Sequence, residues 1–539
     1  MAQVQQRVLI TALALVEAGI SHAAKFYPDD PLKQAPAPVR VETARRRKLN
    51  DQYDFFLNTF ARPGEKHGLG RFIPAGAVNT LGEAPDSEWY TNRHGYRAMS
   101  MEELVRGPGD ANPPSADGPW KIIESKLEGI TPGFKIEDAR GNLYMLKFDP
   151  RTNPEMATAA DVIGSKFFHA LGYNVPENYL VQFPRRRLVL GKRIEIRDAF
   201  GKRRTLSERD VDEVLMTVPR EPDGSLRAVA SRYLTGALLR EFRFHGTRRD
   251  DPNDVVRHEH RRDLRGLFVF CAWLGHDDSR AINTLDVLVD AGPLRYVKHY
   301  LVDFGSILGS ASTKANSARS GNEHLFTLRS SAIEFLSLGF FIPRWARADF
   351  PHLPAVGRFE SKVFDPEKYR PEYPNPAFRN RLPDDTFWAA RQVMRFRDGE
   401  IRAIVRAGQY SDPRAEDWIV QCLIERRDKI GRSYFSKVLP LDDFRIRDGQ
   451  LEFEDLAAKY GFRPPPKLSV EWTRFDNDAE RHTPLEGETS FRLPRELATA
   501  ALPAYYAASI RGDNRAQAVQ VYVRKTGAGV EVVGVERTW

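Results

Sequence analysis

The stretch HDDSRAIN, His276 to Asn283, follows the apolar run LFVFCAWLG and sets two adjacent aspartates at the end of what reads as a buried helix. Two readings are open for such a pair: a solvated helix end, or carboxylates of a reaction site. The segments that follow, TLDVLVD, AGP and LRYVKHYLVDF, alternate apolar and polar residues around a turn and read as a hairpin. Asp303 stands at the end of that hairpin, twenty residues beyond Asn283, and is followed by Phe304 and Gly305.

Asp278, four intervening residues and Asn283, followed by Asp303-Phe304-Gly305, resemble the HRDxxxxN catalytic loop and DFG triplet of the protein-kinase-like superfamily. The resemblance implies an α+β, two-lobed protein-kinase-like fold that holds ATP and Mg²⁺ in its cleft. Phosphoryl transfer asks a protein for metal ligands, a carboxylate beside the attacking hydroxyl and cations for the phosphoryl oxygens. In that scheme Asp278 is the catalytic base, and Asn283 and Asp303 are the metal ligands, hard oxygen donors of the kind magnesium prefers. Arg280 falls where many members carry a lysine on the transferring phosphate, and an arginine keeps the charge while adding a fork of donors. His276 matches the motif's histidine and is structural. Asp277 departs from the family's arginine, so control through a basic residue before the base is not expected, and Asp277 itself is read as a neighbour without a role.

Upstream, WKIIESKL, FKIED and LYMLKFD, separated by EGITPG and ARGN, read as three antiparallel strands. Side chains alternate along a strand, so Leu143, Met145 and Lys147 share a face. The resemblance makes Lys147 the residue for the α- and β-phosphates. Residues 154–171 carry apolar residues at helical spacing up to Gly172, with Glu155 and Asp161 on opposite borders of the stripe. Asp161 is the favoured acidic partner of Lys147, because counted back from the helix end it is similar to the acid position of HipA-like and spore-coat-kinase-like proteins. The nucleotide loop departs from GxGxxG: only Gly129 and Gly133 flank Ile130, Thr131 and Pro132, and their backbone N–H groups are the candidate phosphate donors. The strand RAVASRYL ends at Thr235 and Gly236, where a hinge is expected. A basic insertion over 184–226 and the lack of an APE-like segment direct the resemblance to atypical members, over roughly residues 120–440.

The rest of the chain is read around this centre. Residues 1–24 contain the apolar run VLITALALVEAGI followed by SHAA and read as an export signal, with an amphipathic first helix and a cytoplasmic chain as the alternative. Residues 25–118 are turn-rich and read as an extension that wraps a domain. Residues 119–236 are expected to form the small lobe, 237–440 the helical lobe and 441–539 a small β-sandwich. A net charge of +8 over 81 basic and 73 acidic residues gives no reason to expect nucleic acid, and no other run reaches the length of a membrane span. The basic runs ARRRK and PRRR read as solvated faces, His258-Glu259-His260 as a polar helix start and Cys271 as a buried thiol. The partners expected are a nucleotide and a protein or small-molecule acceptor. A nucleotide-binding pseudokinase and a metal-dependent hydrolase remain as the other functional classes.

Overall fold

The computed structural model describes residues 24–64, 72–126, 133–197, 203–327, 336, 340 and 342–539. All but the last residue of the expected export signal lies outside the described residues, as does Gly129. By its internal contacts the chain divides into two compact units, one of residues 33–78 and 83–437 and one of residues 24–32, 79–82 and 438–539. The extension expected over 25–118 is therefore shared between the two. Among the described residues no helix is long and apolar enough to cross a membrane.

The larger unit opens with α1 (Asp51–Phe56), prolonged by a wider turn over Leu57–Ala61, and α2 (Met101–Arg106), which Ser100 and Glu103 close with a reciprocal cap. The expected meander follows as β1 (Trp120–Lys126), β2 (Gly133–Glu137) and β3 (Leu143–Lys147). The β2–β3 turn is held by Asp138, whose Oδ1 accepts the N–H groups of Arg140 and Asn142, with Gly141 at φ 81°. Tyr144 and Leu146 of β3 are buried against Phe134 and Ile136, so Leu143, Met145 and Lys147 occupy the half-exposed face. After α3 (Met156–Ala170) come β4 (Asn178–Phe183), β5 (Leu188–Leu190), the short pair β6 (Glu195–Arg197) and β7 (Arg203–Thr205), α4 (Glu208–Leu215), β8 (Leu226–Arg232) and β9 (Ala237–Arg240).

The main sheet runs β4-β8-β3-β2-β1-β5, antiparallel except for the β1–β5 edge. The basic insertion forms the expected hairpin and helix. It is docked rather than loose, because Leu188, Ile196, Leu206, Val211 and Leu215 enter the same core as the meander. Its charges are held outside that core, as in the pairing of Arg204 with Asp210 at 2.5 Å.

The helical part of this unit is built on α5 (Arg262–Leu274), every residue of which is buried. Two of those residues are arginines, and they survive burial through pairing with the first turn of a later helix: Arg262 with Asp384 at 2.6 Å and Arg265 with Asp385 at 3.3 Å. The sequence expectation of a helix from His258 is corrected here. His258–His260 is a separate tight turn, and His258 and Glu259 are buried rather than solvated. The His258 Nε2 lies 2.8 Å from Asp254, and Glu259 accepts the Gly246 N–H at 2.7 Å, so the turn is a buried polar clasp. Beyond α5 the hairpin β10 (Thr284–Ala291) and β11 (Leu294–Leu301) pairs in full register from Thr284–Leu301 to Ala291–Leu294. Then come α6 (Pro376–Arg379), α7 (Pro383–Arg395), α8 (Asp398–Arg406) and α9 (Pro413–Phe435).

The smaller unit departs from the β-sandwich expected. It is one antiparallel sheet of β14 (Ser469–Asp476), β15 (Arg481–Pro484), β16 (Ala504–Arg511), β17 (Ala518–Thr526) and β18 (Gly529–Thr538), with a separate hairpin of β12 (Leu441–Arg447) and β13 (Gln450–Asp455). Leu441 and Leu451 of the hairpin share a core with Val470, Trp472 and Ile510. The alternate side chains Phe475, Tyr505 and Tyr522 hold Phe26, from the N-terminal segment, in an aromatic cluster. The hairpin thus covers one face of the sheet and Phe26 packs on the other, in place of a second full sheet.

Helix α5 meets α7 at Gly266, where an added Cβ would lie 2.4 Å from a ring carbon of Trp388. Gly266→Ala is expected to cost about 1–3 kcal/mol through overpacking and to lower the melting temperature, measured by circular dichroism.

Candidate active site

Helix α5 ends at Gly275, whose φ of 68° turns the chain out of the helix, and the His276 N–H closes that end on the Cys271 carbonyl at 2.9 Å. The next residues form a compact loop. Asn283 donates its amide to the Asp278 carbonyl at 2.8 Å, which leaves its oxygen as a ligand atom, and the Arg280 N–H reaches the same carbonyl at 3.0 Å. Hairpin β10–β11 then returns the chain, and the Val302 N–H donates to the Asn283 carbonyl at 3.0 Å. That bond sets Asp303 next to the loop although twenty residues separate it from Asn283.

Asp303 has φ 64° and ψ 69°, a left-handed conformation that aspartate tolerates better than most residues. Lys147 donates to the Asp303 carboxylate at 2.8 Å and to Asp161 at 3.2 Å. Asp161 is 1% exposed whereas Asp303 is 42% exposed, so the inner carboxylate is structural and the outer one opens to the cleft. Asp161 also accepts the Phe304 N–H at 3.0 Å and the Asn178 amide at 2.9 Å. Burial works against the Lys147 ammonium, but the charges of Asp161 and Asp303 outweigh it and hold its pKa above the ordinary lysine value.

The Asp278 carboxyl is pushed up to about 7 by burial, against the pull of Arg280 and Asn283. A carboxylate poised there is suited to proton transfer at neutral pH. The His276 ring is neutral, since burial lowers it to about 4, and it packs with Phe304 and Phe168.

Asp278, Asn283, Asp303, Ser306, Lys314 and Asn316 line one cleft of about 590 Å³. The structure thus brings together the loop aspartate, the amide oxygen, the DFG-like aspartate, the strand lysine and the helix aspartate, which in the sequence are spread from 147 to 303. Glu155, the other acidic candidate, stands at the N-cap of α3 and accepts the Ser411 N–H at 2.9 Å instead. Gly133 is the first residue of β2 and the cross-strand partner of Lys147, where an added Cβ would meet the Leu146 carbonyl at 2.4 Å. Its missing side chain is therefore accounted for by strand packing.

Arg280 is more committed than its motif position implied. It forms an ion pair with Asp278, donates to Asp51 of α1 at 3.0 Å, lies 3.7 Å from Glu372 and stacks 4.5 Å from the Tyr373 ring. Asp277 is likewise no idle neighbour. It is buried, its carbonyl accepts the Glu372 N–H at 2.7 Å and its carboxylate accepts from Asn316 at 3.3 Å, so it fastens the 310–320 loop. Sequence reasoning missed Asn178, Lys314, Asp51 and Glu372, which have no local pattern to mark them. Among the described residues no group of three or more His, Cys, Asp or Glu side chains converges as a metal cluster.

No protein-family model matches the chain, and no curated protein matches it. Among solved structures it is similar to the Helicobacter pylori proinflammatory kinase CtkA, at 13% identity over 59% of this chain and 98% of that one, with a TM-score of 0.29. It is also similar to the Golgi casein kinase with Mn/ADP bound, at 10% identity over 62% of this chain and 75% of that one, with a TM-score of 0.27. A second structure of the Golgi casein kinase gives 10% identity over 76% and 96%, again with a TM-score of 0.27. At TM-scores this low the likenesses carry no argument, and the functional reading rests on the side chains.

Gly164 of α3 backs the Asp303–Gly305 turn, where an added Cβ would stand 2.5 Å from the Phe304 Cβ. Gly164→Ala is expected to push that turn away and cost about 2 kcal/mol, read as a lower melting temperature than wild type. In metal-free protein carrying ¹³C-labelled aspartate, the carboxyl signal that vanishes in Asp278→Asn is expected to titrate near pH 7; a midpoint near the ordinary value of about 4 would refute the burial argument.

Proposed function

We propose that this chain is an ATP- and Mg²⁺-dependent phosphotransferase with a two-lobed, protein-kinase-like fold, which moves the γ-phosphoryl of ATP to a hydroxyl on a protein or a small molecule. One observation carries the reading: Lys147 lies 2.8 Å from Asp303 and 3.2 Å from Asp161, and Asp303 is joined through Val302 to Asn283 and thence to Asp278. A metal-type carboxylate, a metal-type amide and a base with a raised pKa thereby line one cleft, with the Lys147 cation held against its Asp303.

The residues present fit the groups the reading requires. Asp303 and Asn283 offer two hard oxygens, and sites of this kind fill the other magnesium positions with phosphate oxygens and water. Magnesium, when bound, neutralises charge on the phosphates during transfer. Lys147 supplies the cation for the α- and β-phosphates, with Asp161 fixing its direction. Asp278 orients the acceptor hydroxyl and takes its proton as that oxygen bonds to phosphorus and the bond to the leaving oxygen breaks. Arg280, held by Asp51 and Glu372, is a positioning residue for Asp278. Lys314, exposed on the cleft wall and unassigned by the motif, is the cation for the transferring phosphoryl.

The Lys147–Asp303 contact also gives a second reading its footing, since a carboxylate already paired with lysine suits a cleft that binds nucleotide without turnover. Transfer of ³²P from ATP to the chain itself or to a generic acceptor separates the two. Asp278→Asn and Asp303→Asn are each expected to lower the rate at least about 100-fold, and EDTA to abolish it, with the melting temperature little changed. Transfer retained in both variants would overturn the proposal, and nucleotide binding without transfer in the wild-type protein would establish the second reading.

A further inference from the structure

The larger unit contains a second cavity, of about 580 Å³, that shares no lining residue with the cleft. Arg62, Arg265, Arg370, Arg379, Arg381 and His324 line it, and among the described residues no aspartate or glutamate does. The chain's local charge pairing makes this an exception, because nearly as many acidic as basic residues are available to pair. Arg265 is matched by Asp385 at 3.3 Å. Arg370 and Arg381 are not matched in this way, and among the described residues neither reaches a carboxylate at ion-pair distance. Arg370 donates to the carbonyls of Glu367 at 3.1 Å and Tyr369 at 2.6 Å. Arg381 donates to the Phe378 carbonyl and lies 3.6 Å over the Phe268 ring.

Burial lowers the pKa of both groups, and the charge of Arg379 adds to the lowering at Arg370 as that of Arg370 does at Arg381. The groups that oppose this, Tyr434 first and then Glu367, Asp365 and Asp385, act from outside the lining. Like-charged guanidinium groups held together against the aromatic walls of Phe268, Tyr369 and Phe378 cost stability unless an anion fills the space between them. Low-dielectric walls also concentrate the positive field in the cavity. Carbonyl contacts fix one edge of Arg370 and one of Arg381, and the remaining fork donors match the oxygens of a tetrahedral dianion better than a single planar carboxylate, which offers two.

We propose that this arginine cavity is a phosphate-binding site, separate from the cleft, for a phosphomonoester or pyrophosphate group. The site stands whether or not the cleft transfers phosphate.

Isothermal titration of the full chain with sodium pyrophosphate, in EDTA and at fixed ionic strength, tests it. Saturable binding at one equivalent is expected, weakened about tenfold or more in Arg370→Gln and in Arg381→Gln and less in Arg370→Lys, since each lost charge-assisted bond is worth about 1.5–3 kcal/mol. Lys147→Met, which alters the cleft, should leave it unchanged. Should Arg381→Gln melt early because its stacking on Phe268 is lost, Arg370→Gln decides. Competition assigns the source: displacement of pyrophosphate by O-phosphoserine and not by serine points to a phosphorylated side chain, and displacement by inorganic phosphate but not by O-phosphoserine to a free ligand. Absence of saturable binding, or binding lost in Lys147→Met and kept in Arg370→Gln, would overturn the proposal.

Discussion

The Lys147 ammonium between Asp161 and Asp303 is the contact on which the rest of the candidate site depends. Asp161 is almost fully buried on α3, and a carboxylate taken out of water is tolerated only with a counter-charge and hydrogen bonds on its remaining lone pairs. Lys147 from β3 supplies the charge, and Asn178 and the Phe304 N–H supply the bonds. Each partner comes from a different element, so satisfying one buried carboxylate fixes the strand, the helix and the turn after the hairpin relative to one another. The second carboxylate on the same lysine, Asp303, is the part-exposed one, and so a structural requirement delivers a reactive group to the cleft.

A parallel logic holds the loop on the other side. Helix α5 is buried along its whole length, and its end at Gly275 fixes where His276–Asn283 emerges. Within the loop Asn283 binds the Asp278 carbonyl, while Arg280 is tied to Asp278 and, 229 residues away, to Asp51. Helix α1 is too short to be stable alone, and its place is set by this ion pair and by Phe55 against Tyr373. An early segment of the chain thereby supports the geometry of the proposed base.

Charge is distributed in the same spirit. The modest net charge conceals a unit in which most ions are paired locally, and the departures from pairing are informative. The cleft sets Asp277, Asp278, Asp303 and Glu372 beside Arg280, Lys314 and Arg319, whereas the second cavity gathers arginines with, among the described residues, no acid in its lining. Separation of this kind costs folding stability, since like charges repel in a low dielectric.

The sequence by itself determined the parts that depend on spacing. Asp278 and Asn283 share one loop, a two-strand hairpin of known length returns Asp303 to it, and alternation puts Lys147 opposite Tyr144 and Leu146; these follow from local geometry and were legible. The α+β character, the meander, the insertion and the helices after 383 were legible for the same reason. What only the tertiary structure decided is pairing and burial. The partners of Asp161, Gly133 as a strand residue, the buried His258–Glu259 turn and the single C-terminal sheet all turn on neighbours tens to hundreds of residues away. Asp277 and Arg280 make the point within one octapeptide: the motif named their positions, but their partners are Asn316, Glu372 and Asp51, and a side chain's environment is set by whatever folds against it.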